Sequence, residues 1–91
     1  MNTAAEMTNY ISFEKDYVFK CEVNGTPLMA AIKGEYDLSE HFGYRVHFSD
    51  GFKALFVATE TGWQLDGGGG KIYIDAAARE LNRFIAVQLK L

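Results

Sequence analysis

The fold is decided in residues 17–32, which read YVFKCEVNGTPLMAAI. The dipeptide Asn24-Gly25 favours a two-residue type I′ turn, because both central positions of that turn need a positive φ angle. Counting outward from the turn gives four aligned pairs: Val23 with Thr26, Cys21 with Leu28, Phe19 with Ala30 and Tyr17 with Ile32. Nearly all the apolar side chains then share one face, so the segment is predicted to be a β-hairpin.

A second hairpin is predicted over residues 44–59. Ser49-Asp50-Gly51 suits a three-residue loop in which Gly51 takes the left-handed conformation. That loop aligns Phe48 with Phe52, Val46 with Ala54 and Tyr44 with Phe56. A two-residue loop would instead set Phe48 against Lys53, so the three-residue loop is the one predicted.

The last third of the chain changes from strand to helix character. Thr61-Gly62 predicts a turn and Trp63–Leu65 a short fifth strand, whose register the sequence leaves open. Residues 66–71 form a glycine-rich loop, and the segment up to Ile74 reads as a β segment or as the lead into a helix. A helix is predicted over residues 75–90, with Asp75 as its N-cap. Its apolar stripe comprises Ala78, Leu81, Ile85 and Leu89.

The N-terminal segment is ambiguous. Residues 1–9 are expected to fray, and Thr3 with Glu6 fits a capping box that predicts a short helix reaching Ile11. Residues 10–13 also fit a strand. The predicted fold is therefore a single α+β domain over residues 1–91: an antiparallel meander of four to five strands, one C-terminal helix on one face, and a possible short N-terminal helix.

Composition narrows the class of partner and the compartment. The 91 residues carry 12 Asp and Glu against 9 Lys and Arg, and the cations are spread along the chain, so no nucleic-acid partner is predicted. Cys21 is the only cysteine, which rules out an intramolecular disulfide. The chain shows neither a signal-peptide pattern nor a long apolar run, so a cytoplasmic protein without membrane contact is expected.

The glycine-rich loop is a weak candidate for ligand binding. Gly68 and Lys71, with Trp63 as a stacking platform, are the residues that a small-ligand site would use. The phosphate-loop motif requires Ser or Thr after its lysine, whereas this chain has Ile72. A flexible connection is therefore favoured over an anion site.

Metal and nucleophile chemistry are also weakly indicated. Asp37, Glu40 and His41 are the available metal ligands, but their spacing matches no known motif, so a solvated loop and no metal or cofactor are expected. Cys21 falls on the apolar face of the first hairpin, which predicts a buried and inert thiol. The chain is therefore predicted not to be an enzyme, and a metal-dependent or Cys-based enzyme is the least favoured alternative.

The remaining candidate is the sheet face opposite the helix, which we call the outer face. It carries Val18, Met29, Leu55 and Val57 among charged residues. One helix covers one face only, so these four residues are predicted to form an interface. The predicted function is a non-catalytic protein-interaction or accessory module that forms a homodimer, with a small-ligand-binding domain as the alternative.

Overall fold

The computed structural model describes residues 10–37 and 42–89 as one antiparallel sheet and one helix. The elements in chain order are β1 (Tyr10–Val23), β2 (Thr26–Asp37), β3 (Phe42–Phe48), β4 (Lys53–Thr59), β5 (Gly62–Leu65) and α1 (Lys71–Leu89). The sheet order is β1-β2-β3-β4-β5, so every strand pairs with its neighbour in sequence. This is the predicted α+β meander with five strands.

Both predicted hairpin registers are confirmed. In the first, Asn24 and Gly25 have φ angles of 53° and 84°, as a type I′ turn requires, and Val23 aligns with Thr26. In the second, Gly51 has a φ angle of 97° and Tyr44 aligns with Phe56. The register that the sequence left open for β5 aligns Trp63 with Ala58.

A bulge on β2 shifts its pairing with both β1 and β3. The β1–β2 register shifts between Ser12 and Tyr17, and the β2–β3 register shifts between Ile32 and Gly34. The bulge leaves Lys33 unpaired, and its Nζ lies 2.6 Å from Asp16 Oδ2 on the bulged part of β1. Lys33 is one extra residue on β2, so the β2 side chains beyond it point opposite to a count continued from the Asn24-Gly25 turn. β1 keeps its alternation, since Tyr17 and Ser12 are five residues apart and lie on opposite faces.

The start of β1 corrects the prediction for the N-terminal segment. Tyr10 and Ile11 belong to β1 and pair with Tyr36 and Glu35 of β2. The predicted helix is therefore wrong at these two residues, because ladder pairing with a long neighbouring strand satisfies their backbone groups. The rest of that predicted helix and the predicted frayed end, residues 1–9, lie outside the described residues.

The helix begins one turn before the predicted N-cap. It starts at Lys71, and the Gly70 carbonyl accepts hydrogen bonds from the N–H groups of Tyr73 (2.9 Å) and Ile74 (3.1 Å). Asp75 lies in the second turn, where its carboxylate pairs with Lys71 at 3.1 Å instead of capping the helix. The lead-in interpretation of residues 71–74 is thus correct, and the β interpretation is wrong.

The helix packs on the inner face of the sheet. Its buried residues are Ala77, Leu81 and Phe84, while Ala78 and Ile85 of the predicted stripe are half-buried. The Phe84 ring lies 5.0 Å from that of Tyr17 and 5.3 Å from that of Tyr44. The rest of the core comes from alternate inner-face positions: Phe19, Val23, Ala30, Ile32, Val46, Phe48, Phe56 and Leu65.

Candidate interaction surface

The outer face follows from strand alternation, with the bulge taken into account. The predicted interface residues Val18, Met29, Leu55 and Val57 all lie on it. Val18 aligns with Ala31, and Leu55 aligns with Arg45. The bulge adds two outer-face residues that the sequence analysis missed, Gly34 and Tyr36. Tyr36 aligns with Tyr10 of β1 and Gly43 of β3, which alternation along their own strands already places on this face. The signal for the bulge was Gly34, because a glycine inside a strand pattern often marks a bulge.

The apolar residues of the outer face form two separate patches. Val18, Met29 and Ala31 make up the β1–β2 patch, and Leu55 and Val57 make up the β4 patch. Between them lies β3, the central strand, which presents Arg45 and His47. The outer face is therefore apolar on both sides of a polar centre.

The two patches differ in exposure. Val18 is 55% exposed and Met29 is 41% exposed, large fractions for apolar side chains. Leu55 is half-buried, because its side chain lies over Gly43, where an added Cβ would come within 3.2 Å of Leu55 Cδ1. Val57 is also half-buried. The β1–β2 patch is thus the more available of the two for a partner.

Two tyrosines and an arginine cover the end of the outer face beyond the bulge. The Tyr10 and Tyr36 rings are 4.4 Å apart, and the Arg45 guanidinium lies 5.8 Å from each ring centroid. Arg45 also donates a 2.9 Å hydrogen bond to the Tyr36 hydroxyl. Tyr10 lies against Gly34, which leaves no room for a Cβ there. These contacts hold the Arg45 guanidinium on the side of β3 that is nearer to β1 and β2.

The outer face carries more positive than negative charge. Its cations are Lys20, Lys33, Arg45 and Lys53, and its anions are Glu14, Glu22 and Asp16, of which Asp16 pairs with Lys33. The whole chain has a formal charge of -3, so the outer face is opposite in sign to the protein as a whole.

The structure does not bring the three predicted ligand-binding residues together. Gly68 and Lys71 line a shallow groove of about 470 Å³ with Gln64 and Leu65. Trp63 lies elsewhere: its Nε1 donates to Asn82 Oδ1 at 2.9 Å, and its ring is 6.2 Å from that of Tyr44. Trp63 therefore seals the edge of the core and is not part of the groove.

The structure does not describe the side chains of the three predicted metal ligands. Glu40 and His41 lie outside the described residues, as does the side chain of Asp37, and residues 10–36 and 42–87 contain no group of three or more potential metal ligands.

Cys21 is half-buried instead of buried, because it lies on the edge strand β1. Burial, with a smaller effect from the Asp50 carboxylate, raises the pKa of the Cys21 thiol above its usual value. A raised pKa disfavours the thiolate that a nucleophile needs.

Comparison with protein-family models, curated proteins and solved structures found no significant match. Within the part of the chain that the structure describes, no helix combines the length and apolar character needed to cross a membrane.

Proposed function

We propose that this protein is a non-catalytic interaction module that forms a homodimer through the outer face of its sheet. The observation that carries the proposal is the exposure of Val18 and Met29 on a face that lies opposite the helix. Removing an apolar side chain of this size from water stabilises a complex by about 1.5–3 kcal/mol when burial is complete.

The arrangement of the two apolar patches supports a second copy as the partner. Val18 and Ala31 are level with His47 and Lys53, whereas Leu55 and Val57 lie two and four residues further along β4, so the two patches are offset along the strands. A two-fold axis that lies in the plane of the face and crosses β3 diagonally lays the β1–β2 patch of one protomer over the β4 patch of the other, twice, which is the self-complementarity an isologous dimer needs. β3 is the middle strand of the five, so such an axis passes near the centre of the face.

The size of the face indicates a weak dimer. The five strands have 14, 12, 7, 7 and 4 residues. At about 4.8 Å between strands and about 3.3 Å per residue, they give a flat area of roughly 700 Å². A standard interface buries about 800 Å² per partner, and smaller ones belong to weak or transient complexes. We therefore expect a dissociation constant in the micromolar range.

Sedimentation of matched variants tests the proposal. Met29→Glu places a carboxylate in the exposed patch, and it should weaken the dimer at least about tenfold without unfolding the protomer. Val87→Glu is the control, because Val87 is 59% exposed on the helix, away from the outer face. It should dimerise like the wild type. Met29 is a better probe than Leu55, whose contact with Gly43 links it to the fold of the sheet.

Two results would contradict the proposal. One is a wild type that stays monomeric at millimolar concentration. The other is a Met29→Glu variant that dimerises as tightly as Val87→Glu. Far-UV circular dichroism of each variant establishes that the protomer is folded.

A further inference from the structure

His47 occupies the centre of the outer face in an unusual environment. It lies on β3 between Ala31 of β2 and Lys53 of β4, and its side chain is half-buried. The Nε2 atom is shielded from solvent and has no hydrogen-bond partner among the described residues. A buried polar nitrogen without a partner is costly, and an imidazolium there would be costlier still.

The charged groups around His47 are mostly positive. After burial, which is the largest effect, Lys53 of β4, Lys33 of β2 and Arg45 of β3 hold the pKa of the His47 imidazole below its usual 6.5. Asp16 of β1 acts in the opposite direction but less strongly, and its carboxylate is engaged by Lys33 at 2.6 Å. His47 is therefore neutral at physiological pH.

We propose that His47 makes the self-association of the outer face sensitive to pH, with the dimer formed while the imidazoles are neutral and released when they are protonated. The proposal rests on the homodimer proposed above. Its geometry places each His47 on the central strand, next to the two-fold axis and hence near the partner's copy. Protonation would bring two imidazolium ions together in a contact from which water has been removed.

The direction of the pH effect follows from linkage. Association removes further solvent from His47 and brings the partner's cations near it, so its pKa is lower in the dimer than in the monomer. The dimer is then at full strength above the pKa of the monomer, and it weakens as the pH falls towards the pKa of the dimer.

Sedimentation at about pH 7.5 and about pH 5 tests this inference, with circular dichroism to show that the protomer is folded at both values. The wild-type dissociation constant should rise about tenfold or more at the lower pH. His47→Gln, which keeps a neutral polar side chain, should dimerise equally at both pH values. His41→Gln removes the other histidine of the chain, and it should keep the wild-type response.

The outcomes separate the two proposals. A wild type that dimerises equally at both pH values overturns the role of His47 and leaves the homodimer standing. A His47→Gln variant that still dissociates in acid also overturns it. A wild type that is monomeric at both pH values overturns the homodimer and, with it, this inference.

Discussion

Tyr73 and Asp50 connect the start of the helix to the β3–β4 turn through a short hydrogen bond. The Tyr73 hydroxyl donates to Asp50 Oδ2 at 2.6 Å, and the Phe52 N–H donates to Asp50 Oδ1 at 3.0 Å. These two bonds, the one from Tyr73 being the stronger influence, hold the pKa of Asp50 below its ordinary 3.8. Both bonds favour the ionised carboxylate, so they link the stability of the fold to pH.

Replacing Tyr73 with Phe should reveal this link. The pKa of Asp50 is lower in the folded than in the unfolded chain, so the stabilisation is present above about pH 4 and is lost as the pH falls through the folded value. Urea unfolding should show Tyr73→Phe to be less stable than the wild type at neutral pH, with the difference narrowing in acid.

Tyr36→Phe is the matched control for this prediction. Its hydroxyl accepts from Arg45, whose charge stays constant over the same pH range. Its effect on the free energy of unfolding should therefore not vary with pH. A pH-independent effect of Tyr73→Phe would show that the bond to Asp50 does not favour the carboxylate.

Single residues of the candidate surface were predictable only where the count from a turn holds. Val18 and Met29 lie between the Asn24-Gly25 turn and the bulge, so alternation places them correctly. Tyr36 lies beyond the bulge, where the extra residue of β2 exchanges the faces, whereas Tyr10 stays on the face that alternation along β1 gives it. Alternation in the sequence does not reveal the extra residue in β2, so the pairing of Tyr36 with Tyr10 needed the structure.

At the scale of elements, the hairpins were predictable because turn chemistry and apolar alternation point to the same registers. The residue at which the helix starts was not predictable in this way. A favourable N-cap residue stabilises a helix by about 1 kcal/mol, and this local preference favours a helix that starts after Asp75. The Tyr73 ring stacks on Phe52 at 3.8 Å and meets the Phe48 ring edge-on at 4.9 Å, and its hydroxyl donates to Asp50. These longer-range contacts together outweigh the cap.

The glycine run that leads into the helix gives a second prediction. Gly68 and Gly70 have φ angles of 82° and 69°, so alanine is strained at both positions. They differ in space: a Cβ at Gly68 would meet nothing within 4 Å, whereas one at Gly70 would collide with the Leu65 side chain. Gly68→Ala should cost about 1 kcal/mol and Gly70→Ala about 1 kcal/mol or more beyond that, measured by urea unfolding. Equal costs would mean that Leu65 moves aside freely.

At the scale of the whole molecule, the net charge of the outer face is opposite in sign to the net charge of the chain. The two surfaces that meet in the proposed homodimer each carry Lys20, Arg45 and Lys53, with Glu14 and Glu22 as the anions outside the Lys33–Asp16 pair. Apolar burial must therefore overcome repulsion between like charges. An acidic partner on the same face would be attracted instead, so ionic strength distinguishes the two partners.

The homodimer should therefore tighten as salt is added. The screening length falls from about 10 Å at 0.1 M salt to about 3 Å at 1 M, which weakens repulsion across the interface. Sedimentation should show a lower dissociation constant at high salt. Lys53→Gln should dimerise more tightly than the wild type at low salt, and its dissociation constant should depend less on salt.

The control is Lys71→Gln, because the Lys71 side chain is 82% exposed on the helix, and this variant should respond to salt like the wild type. A dimer that weakens with salt would show that opposite charges meet in it, which contradicts the proposed axis across β3.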